Sequence, residues 1–275
     1  FVDTLAQVGT TVGQVDEILK AEEQDHGETP VTFENHSIEV KDVSFGYHED
    51  QEILHGVTLS LPQNSMTALV GPSGSGKSTI AKLIAGFWDV RSGSITLGGH
   101  DLKDIPLTEL YDQVAFVSQD NYLFDDTVRE NIRMGRRDAT DAQVEAAAHA
   151  AGCDSFLSGL EKGFDTRVGG GGAHLSGGER QRISIARAML KDAPIIVLDE
   201  AIANVDPENE QELMEAIDAL TAEKTVILIA HRLKTVHRAD QILVLDRGRI
   251  VQRGTHDELA REDGLYRRFL TGREK

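Results

Sequence analysis

The sequence predicts an α/β fold, with a mixed β-sheet core, an antiparallel β subdomain and an α-helical subdomain. Three observations carry that expectation. Short apolar runs at residues 66–70, 113–117, 195–198 and 225–230 have the length of strands, and their continuous apolar character suits a parallel sheet covered on both faces. The turn Gly-Pro-Ser-Gly-Ser-Gly-Lys-Ser-Thr at 71–79 joins the first of these runs to a helix-like one containing Ile80, Leu83 and Ile84. Between the strand-forming runs, residues 127–160 form a block with no strand pattern, which reads as a helical insertion.

Taken in order, Phe1, Leu5, Val8, Val12, Val15 and Leu19 repeat every three or four residues, one apolar stripe on a helix of about five turns. Gly9 and Gly13 on that helix allow a close neighbour. The acidic stretch at 21–29, closing at Pro30, reads as a linker. Residues 38–45 and 53–61 read as antiparallel strands around the polar turn His48-Glu49-Asp50-Gln51, with Tyr47 at its edge. Residues 94–97 form a short strand turning at Gly98-Gly99, and Gln119 follows the strand 113–117 directly. Within the helical block, Thr140 and Gln143 form a capping box, as do Thr255 and Glu258 near the end of the chain. His256 lies inside that second box and reads as part of a helix start. Asp206-Pro207 opens another helix, with Asp as N-cap and Pro in the first turn. Residues 241–246 and 249–251 close the sheet as a hairpin turning at Arg247-Gly248.

The chemistry concentrates at three places. Residues 71–79 match G-x-x-x-x-G-K-[ST], in which glycines let successive backbone amides and a helix N-terminus face phosphates. Gly71, Ser73, Gly74, Ser75, Gly76, Lys77, Ser78 and Thr79 are the candidate phosphate contacts, Lys77 pairing with the β- and γ-phosphates and Ser78 supplying a hydroxyl to Mg²⁺. The core is therefore expected to be of the P-loop NTPase type. A second helix start follows four glycines at 169–172: Leu175-Ser176-Gly177-Gly178 precedes a run containing Ile183, Ile185, Ala186 and Met189, so its amides and dipole form a second anion site. Third, the strand 195–198 ends in Asp199-Glu200, where α/β sheets place ligand contacts. Asp199 can serve Mg²⁺ and Glu200 can polarise a water, while His231 ends the strand 225–230 beside them.

Composition narrows the function classes. Twenty-eight basic residues against 46 acidic ones leave a net charge of −18, so no basic face for nucleic acid is expected. Cys153 is the single cysteine, which excludes an internal disulfide and reads as core. No run approaches the roughly 18 apolar residues of a membrane span. The chain starts at Phe1 and reads as a domain from something longer.

Across about residues 38–272, the order of these motifs resembles that of the ATP-binding cassette ATPases, and most of all the nucleotide-binding domain of exporters with a fused membrane domain. Val-Ser-Phe-Gly-Tyr at 43–47, LSGG at 175–178 and Gly-Thr-His-Asp-Glu-Leu at 254–259 carry the likeness. The resemblance implies ATP and Mg²⁺ as ligands, a second cassette and a transmembrane domain of the same polypeptide as partners, and no nucleic acid. It also implies a location at the cytoplasmic face of a membrane, the bacterial inner membrane. Residues 1–30 would be the end of a membrane-domain helix plus a linker, residues 31–275 the ATPase domain, and about 120–190 its helical subdomain. By the same likeness Tyr47 stacks on adenine, and Gln119 contacts Mg²⁺ and senses the γ-phosphate. Ser176, Gly177 and Gly178 grip the γ-phosphate held by the other protomer. Glu200 is the catalytic base, Asp199 a Mg²⁺ partner, His231 a γ-phosphate anchor, and Asp206 part of the loop joining the two sites. The chain departs from the usual pattern at Glu179, where Gln is commoner, at Ile202 to Asp206, where a small hydroxyl residue and Ser-Ala-Leu-Asp are typical, and at Gly170, where exporters carry an acidic or amide residue. The alternative reading is a soluble cassette ATPase not coupled to transport; a phosphate-loop kinase has no use for LSGG.

Overall fold

The computed structural model describes residues 24–118, 121–170, 173–199, 207–231 and 233–272. The apolar stripe expected to form a helix at 1–19 lies outside them. In chain order the elements are β1 (Ile38–Phe45), β2 (Leu54–Leu61), β3 (Met66–Val70), α1 (Lys77–Ile84), β4 (Ser92–Leu97), β5 (His100–Asp101), α2 (Leu107–Gln113), β6 (Val114–Val117), β7 (Asp126–Thr127) and α3 (Val128–Arg133). There follow α4 (Asp141–Ala150), α5 (Asp154–Leu157), β8 (Arg167–Val168), α6 (Gly177–Lys191), β9 (Ile195–Asp199), α7 (Pro207–Thr221), β10 (Thr225–Ile229), α8 (Leu233–Val236), β11 (Gln241–Asp246), β12 (Arg249–Gly254), α9 (His256–Arg261) and α10 (Leu265–Leu270).

Every residue of β9 and β10 is buried, as expected of central strands covered on both faces. They lie in a six-stranded sheet of order β12-β11-β3-β10-β9-β6, parallel except for the edge strand β12. Successive side chains enter two cores: Ile196, Leu198, Val226 and Leu228 pack on the side of α6 and α7, whereas Ile195, Val197, Ile227 and Ile229 pack with α1 and the second sheet. That second sheet is antiparallel, in the order β2-β1-β4-β5, and covers α1 with Ile38, Val40, Leu59 and Leu97. Arg247 and Gly248 both have positive φ, 49° and 78°, as a tight two-residue hairpin turn between β11 and β12 requires.

Local signals hold well. Thr140 and Gln143 make the expected capping box at α4, and Thr255 and Glu258 make theirs at α9. Three expectations need correction. Gln113 ends α2 instead of starting the strand, because Val114 turns to extended geometry immediately after the helix. Thr127 is the N-cap of α3, its hydroxyl accepting from Glu130 N at 3.1 Å, and it also belongs to the two-residue pairing of β7 with β8, so the edge of the helical block does contain strand. His256 opens α9 as expected, and it also makes tertiary contacts: its Nδ1 lies 2.7 Å from the hydroxyl of buried Tyr266, and its ring stacks on His237 at 3.7 Å. The described part of the acidic stretch is docked against the domain. Gly27 N donates to Lys103 O at 2.8 Å, and the His26 side chain is almost fully buried between Asp89 Oδ1 and Ile105 O. Its acidic neighbours keep the composition of a linker while two polar side chains, Gln24 and His26, supply the attachment.

Candidate functional site

The register of the parallel sheet brings its carboxyl ends into a row. Leu69 of β3 and Asp199 of β9 both pair with Ile229 of β10, and Leu198 pairs with Val117 of β6. The phosphate loop, His231, Asp199 and Ser118 therefore leave the same edge of the sheet, the crevice in which open α/β sheets bind ligands. Gln119 follows Ser118 and Glu200 follows Asp199 in the chain. Gln119, Glu200 and Asp206 lie outside the described residues.

The loop between β3 and α1 is fixed by close approach. A Cβ at Gly71 would stand 2.1 Å from Leu245 O, and one at Gly76, where φ is 106°, would stand 2.6 Å from a methyl of Leu54. Gly248 N donates to Ser75 O at 3.0 Å, tying the loop to the last hairpin. Gly76 is also the N-cap of α1 and provides no side-chain cap, so the amides of the first turn are left to an external acceptor. The Lys77 ammonium lies across the loop on the carbonyls of Gly71 and Pro72. Ser75, Gly76, Lys77 and Thr79 are buried, whereas Ser73, Gly74 and Ser78 are exposed. Ser75 Oγ is buried and meets no hydrogen-bond partner among the described residues.

Tyr47 flanks this loop. Its hydroxyl is 3.1 Å from Thr79 Oγ1, and its ring meets Phe45 and Trp88 edge-on at 5.1 and 5.5 Å. Arg91 holds the backbone turn that carries it, donating to Gly46 O at 3.2 Å and His48 O at 2.5 Å. The ring remains about a third exposed.

Asp199 is buried, and its Oδ1 accepts no hydrogen bond among the described residues; His231 Nε2 stands 3.5 Å away. An orphaned carboxylate oxygen, with the exposed hydroxyl of Ser78 at the start of α1, is a hard oxygen donor set of the kind Mg²⁺ takes alongside phosphates. The residues present therefore fit that ion.

The second helix start is built differently. Ser176 caps α6, its Oγ accepting from Glu179 N at 3.3 Å, while its own O–H finds no acceptor among the described residues. Ser176 and Gly177 are exposed, and nothing lies within 4 Å of a Cβ placed on Gly177.

Sequence reasoning missed a groove of about 480 Å³ at the other end of α6. Phe87, Tyr111 and Tyr122 are exposed along it, and Phe87 stacks on Phe116 at 5.5 Å. Lys191 clamps one wall by donating to Tyr111 O and Val114 O at 2.5 and 2.6 Å, and Arg187 donates to Tyr122 O and Asn131 O. Burial lowers the pKa of both cations, with Asp112 acting in the opposite direction on Lys191. The one available signal was Phe87-Trp88, adjacent large aromatics directly after α1 in a chain with a single tryptophan.

A family model described as ABC transporter matches residues 54–203, more than half of the chain. The ATP-dependent lipid A-core flippase of Photobacterium profundum is 47% identical over 250 residues, covering 90% of this chain and 43% of that protein. The mycobactin import ATP-binding/permease protein IrtA of Mycolicibacterium smegmatis is 44% identical over 264 residues, 96% of this chain and 30% of that protein. A solved structure of a bacterial Atm1-family ABC exporter with ATP bound superposes with a TM-score of 0.87 at 38% identity, covering 99% of this chain and 48% of the other. The chain thus spans less than half the length of each of these relatives. With a phosphate loop, an aspartate-ended central strand and a serine-capped LSGG helix in this order, and a family model across most of them, the chain belongs to the ABC transporter family.

Proposed function

We propose that this chain is the ATP-binding and ATP-hydrolysing motor domain of an exporter, working as a pair of cassettes closed around ATP. Residues 31–275 form the cassette, with its helical subdomain at about 120–190, and residues 1–30 bring in the end of a membrane-domain helix and a linker. The observation that carries the reading is the pairing of two unlike phosphate-facing helix starts in one chain. The α1 start is buried at the sheet edge beside Asp199 and His231, and the α6 start faces outward. A surface start of this kind is completed by a ligand held on another molecule.

In this reading the loop amides from Gly71 to Thr79 and the Lys77 ammonium hold the β- and γ-phosphates, and Tyr47 stacks on adenine. Ser176, Gly177 and Gly178 of a second copy close on the γ-phosphate. Glu200 takes the proton of the attacking water, His231 anchors the γ-phosphate, and Gln119 senses whether it is there. Ser78, Asp199 and Gln119 would hold Mg²⁺, which when bound offsets the negative charge on the phosphoryl oxygens. The rest of the acceleration comes from positioning and fixed charge. Because the closed pair makes contacts that the open one lacks, hydrolysis shifts the population back toward open.

The relatives favour this over a soluble ATPase. They are named as a flippase, a permease protein and an exporter, and each is more than twice as long as its match to this chain. The exposed aromatic groove is a surface suited to the transmembrane domain of the same polypeptide. Both a flippase and an import protein match at similar identity, so the direction and the cargo reside outside this domain. A cassette so coupled works at the cytoplasmic face of a membrane, here the bacterial inner membrane. Its net charge of −18 argues against nucleic acid as a partner.

The test is Glu200→Gln in the full-length protein reconstituted in membrane. ATP binding is retained, and turnover falls by roughly 100- to 10,000-fold, the range for loss of a general base. Turnover near that of the unaltered protein would remove Glu200 from this role.

A further inference from the structure

Arg182 lies in α6, one turn beyond Gly178, with a side chain only 3% exposed. Its guanidinium is used on every nitrogen. Nε donates to Gly178 O at 3.4 Å, Nη1 to Gly152 O and Ser155 Oγ at 3.1 Å each and to Glu212 Oε2 at 2.5 Å, and Nη2 to Asn209 Oδ1 at 3.2 Å. The Phe156 ring lies 5.5 Å from its Cζ. Ser155 Oγ in turn donates to Glu212 Oε2 at 3.1 Å, so the acceptor carboxylate is held from two elements.

These partners belong to three separate parts of the chain. Gly178 is in the outward-facing start of α6, Gly152 and Ser155 lie at the junction of α4 and α5, and Asn209 and Glu212 are in α7. The first turn of α7 follows the segment that begins at Asp199 and carries Glu200 and Asp206. One rigid planar fork thus connects the surface anion site to the chain leaving the sheet-edge site. Bulk stability is a poor explanation for such a group, because apolar residues replacing both partners of a buried ion pair often match or exceed its stability. A fork with directed donors fixes orientation in a way that an apolar residue, or the point charge of lysine, does not.

We propose that Arg182 is a positioning residue: it sets the direction in which Ser176, Gly177 and Gly178 face relative to the strand end at Asp199, and it touches no nucleotide itself. The proposal rests on the motor reading above. Arg182 thereby links the site a molecule completes for its partner to the site it completes for itself.

The experiment compares Arg182→Lys, Arg182→Met and Glu212→Gln in the full-length protein, reading nucleotide affinity, kcat and thermal stability. Nucleotide affinity, set at Lys77, stays within about twofold, while kcat falls about tenfold or more from misplacement alone. Arg182→Met lowers thermal stability, because it leaves Glu212 and the carbonyls of Gly152 and Gly178 without their donor. The kcat comparison therefore rests on the conservative pair Arg182→Lys and Glu212→Gln, and Arg182→Lys does not rescue kcat although it keeps the charge. Glu212→Gln preserves size and hydrogen bonding at a half-exposed position, gives a smaller loss of kcat, and combines non-additively with Arg182→Lys. Wild-type kcat in folded Arg182→Lys and Glu212→Gln proteins would overturn the proposal, as would losses that follow melting temperature or nucleotide affinity alone. If the unaltered protein hydrolyses no ATP, the motor reading itself falls and takes this inference with it.

Discussion

The two helix starts to which the proposed motor gives one chemical task are built in opposite ways. The start of α1 is capped by a glycine without a side chain and sunk beneath the antiparallel sheet, with a lysine folded across the loop. The start of α6 satisfies one of its own amides through Ser176 and stays exposed. An uncapped, buried helix end has a strong need for an anion and can bind one within a single molecule. A capped, exposed end has a weak need, and binds only when an anion is presented to it already held. In the proposed motor, the difference means that affinity and assembly are separately encoded: the first helix start would determine whether nucleotide binds, and the second whether binding joins two molecules.

Substitutions that break one start and spare the other test this division. Lys77→Ala has the largest expected effect. It removes the charge that pairs with the phosphates, so ATP affinity of the isolated chain falls by about 100-fold or more in equilibrium titration, and dimerisation is lost with it. Gly177→Asp attacks the other side. A Cβ fits there freely and a carboxylate suits a helix N-terminus, so the monomer remains folded and binds ATP normally. The same carboxylate repels a partner's γ-phosphate, and ATP-dependent association falls about tenfold or more by sedimentation, by like-charge juxtaposition at close range. Tyr47→Ala should weaken ATP about tenfold, the loss expected when a base loses its aromatic platform, with little change for inorganic triphosphate. The smallest effect is at Cys153. The thiol is buried and its pKa is pushed up to about 12 by desolvation, with Arg182 pulling it down and Asp154 adding to the rise. Neither site uses it, so Cys153→Ser leaves ATP affinity unchanged, and at pH 8 the native protein resists alkylation that proceeds once urea unfolds it.

The α1 start was almost wholly legible in the sequence, because its glycines, lysine and hydroxyls are contiguous and the strand before it is unbroken. The same holds for the hairpin turn at Arg247-Gly248 and the capping boxes at Thr140 and Thr255, each specified within four residues. What escaped depends on contacts between distant segments. The Tyr47–Thr79 bond spans 32 residues, and the groove draws its walls from the segment after α1 and from α2, β6 and α6. Arg182 reads as one of several charges after LSGG until α7 is folded against it. The ring contacts of His256 escape because its two partners, His237 just after α8 and Tyr266 in α10, lie elsewhere in the chain. Burial of this kind leaves no spacing pattern in the chain.

The most direct test of the central claim is disulfide trapping between two copies of the full-length protein. Ser73 and Ser176 are exposed, one at each of the two helix starts, and the lone native thiol is buried. With Ser73→Cys and Ser176→Cys carried on separate copies, oxidation in ATP under non-hydrolysing conditions should give a covalent dimer that is much reduced without nucleotide. A yield that is the same with and without ATP, or no cross-link under conditions where the pair is shown to associate, would mean that the α6 start does not close on the partner's phosphate loop.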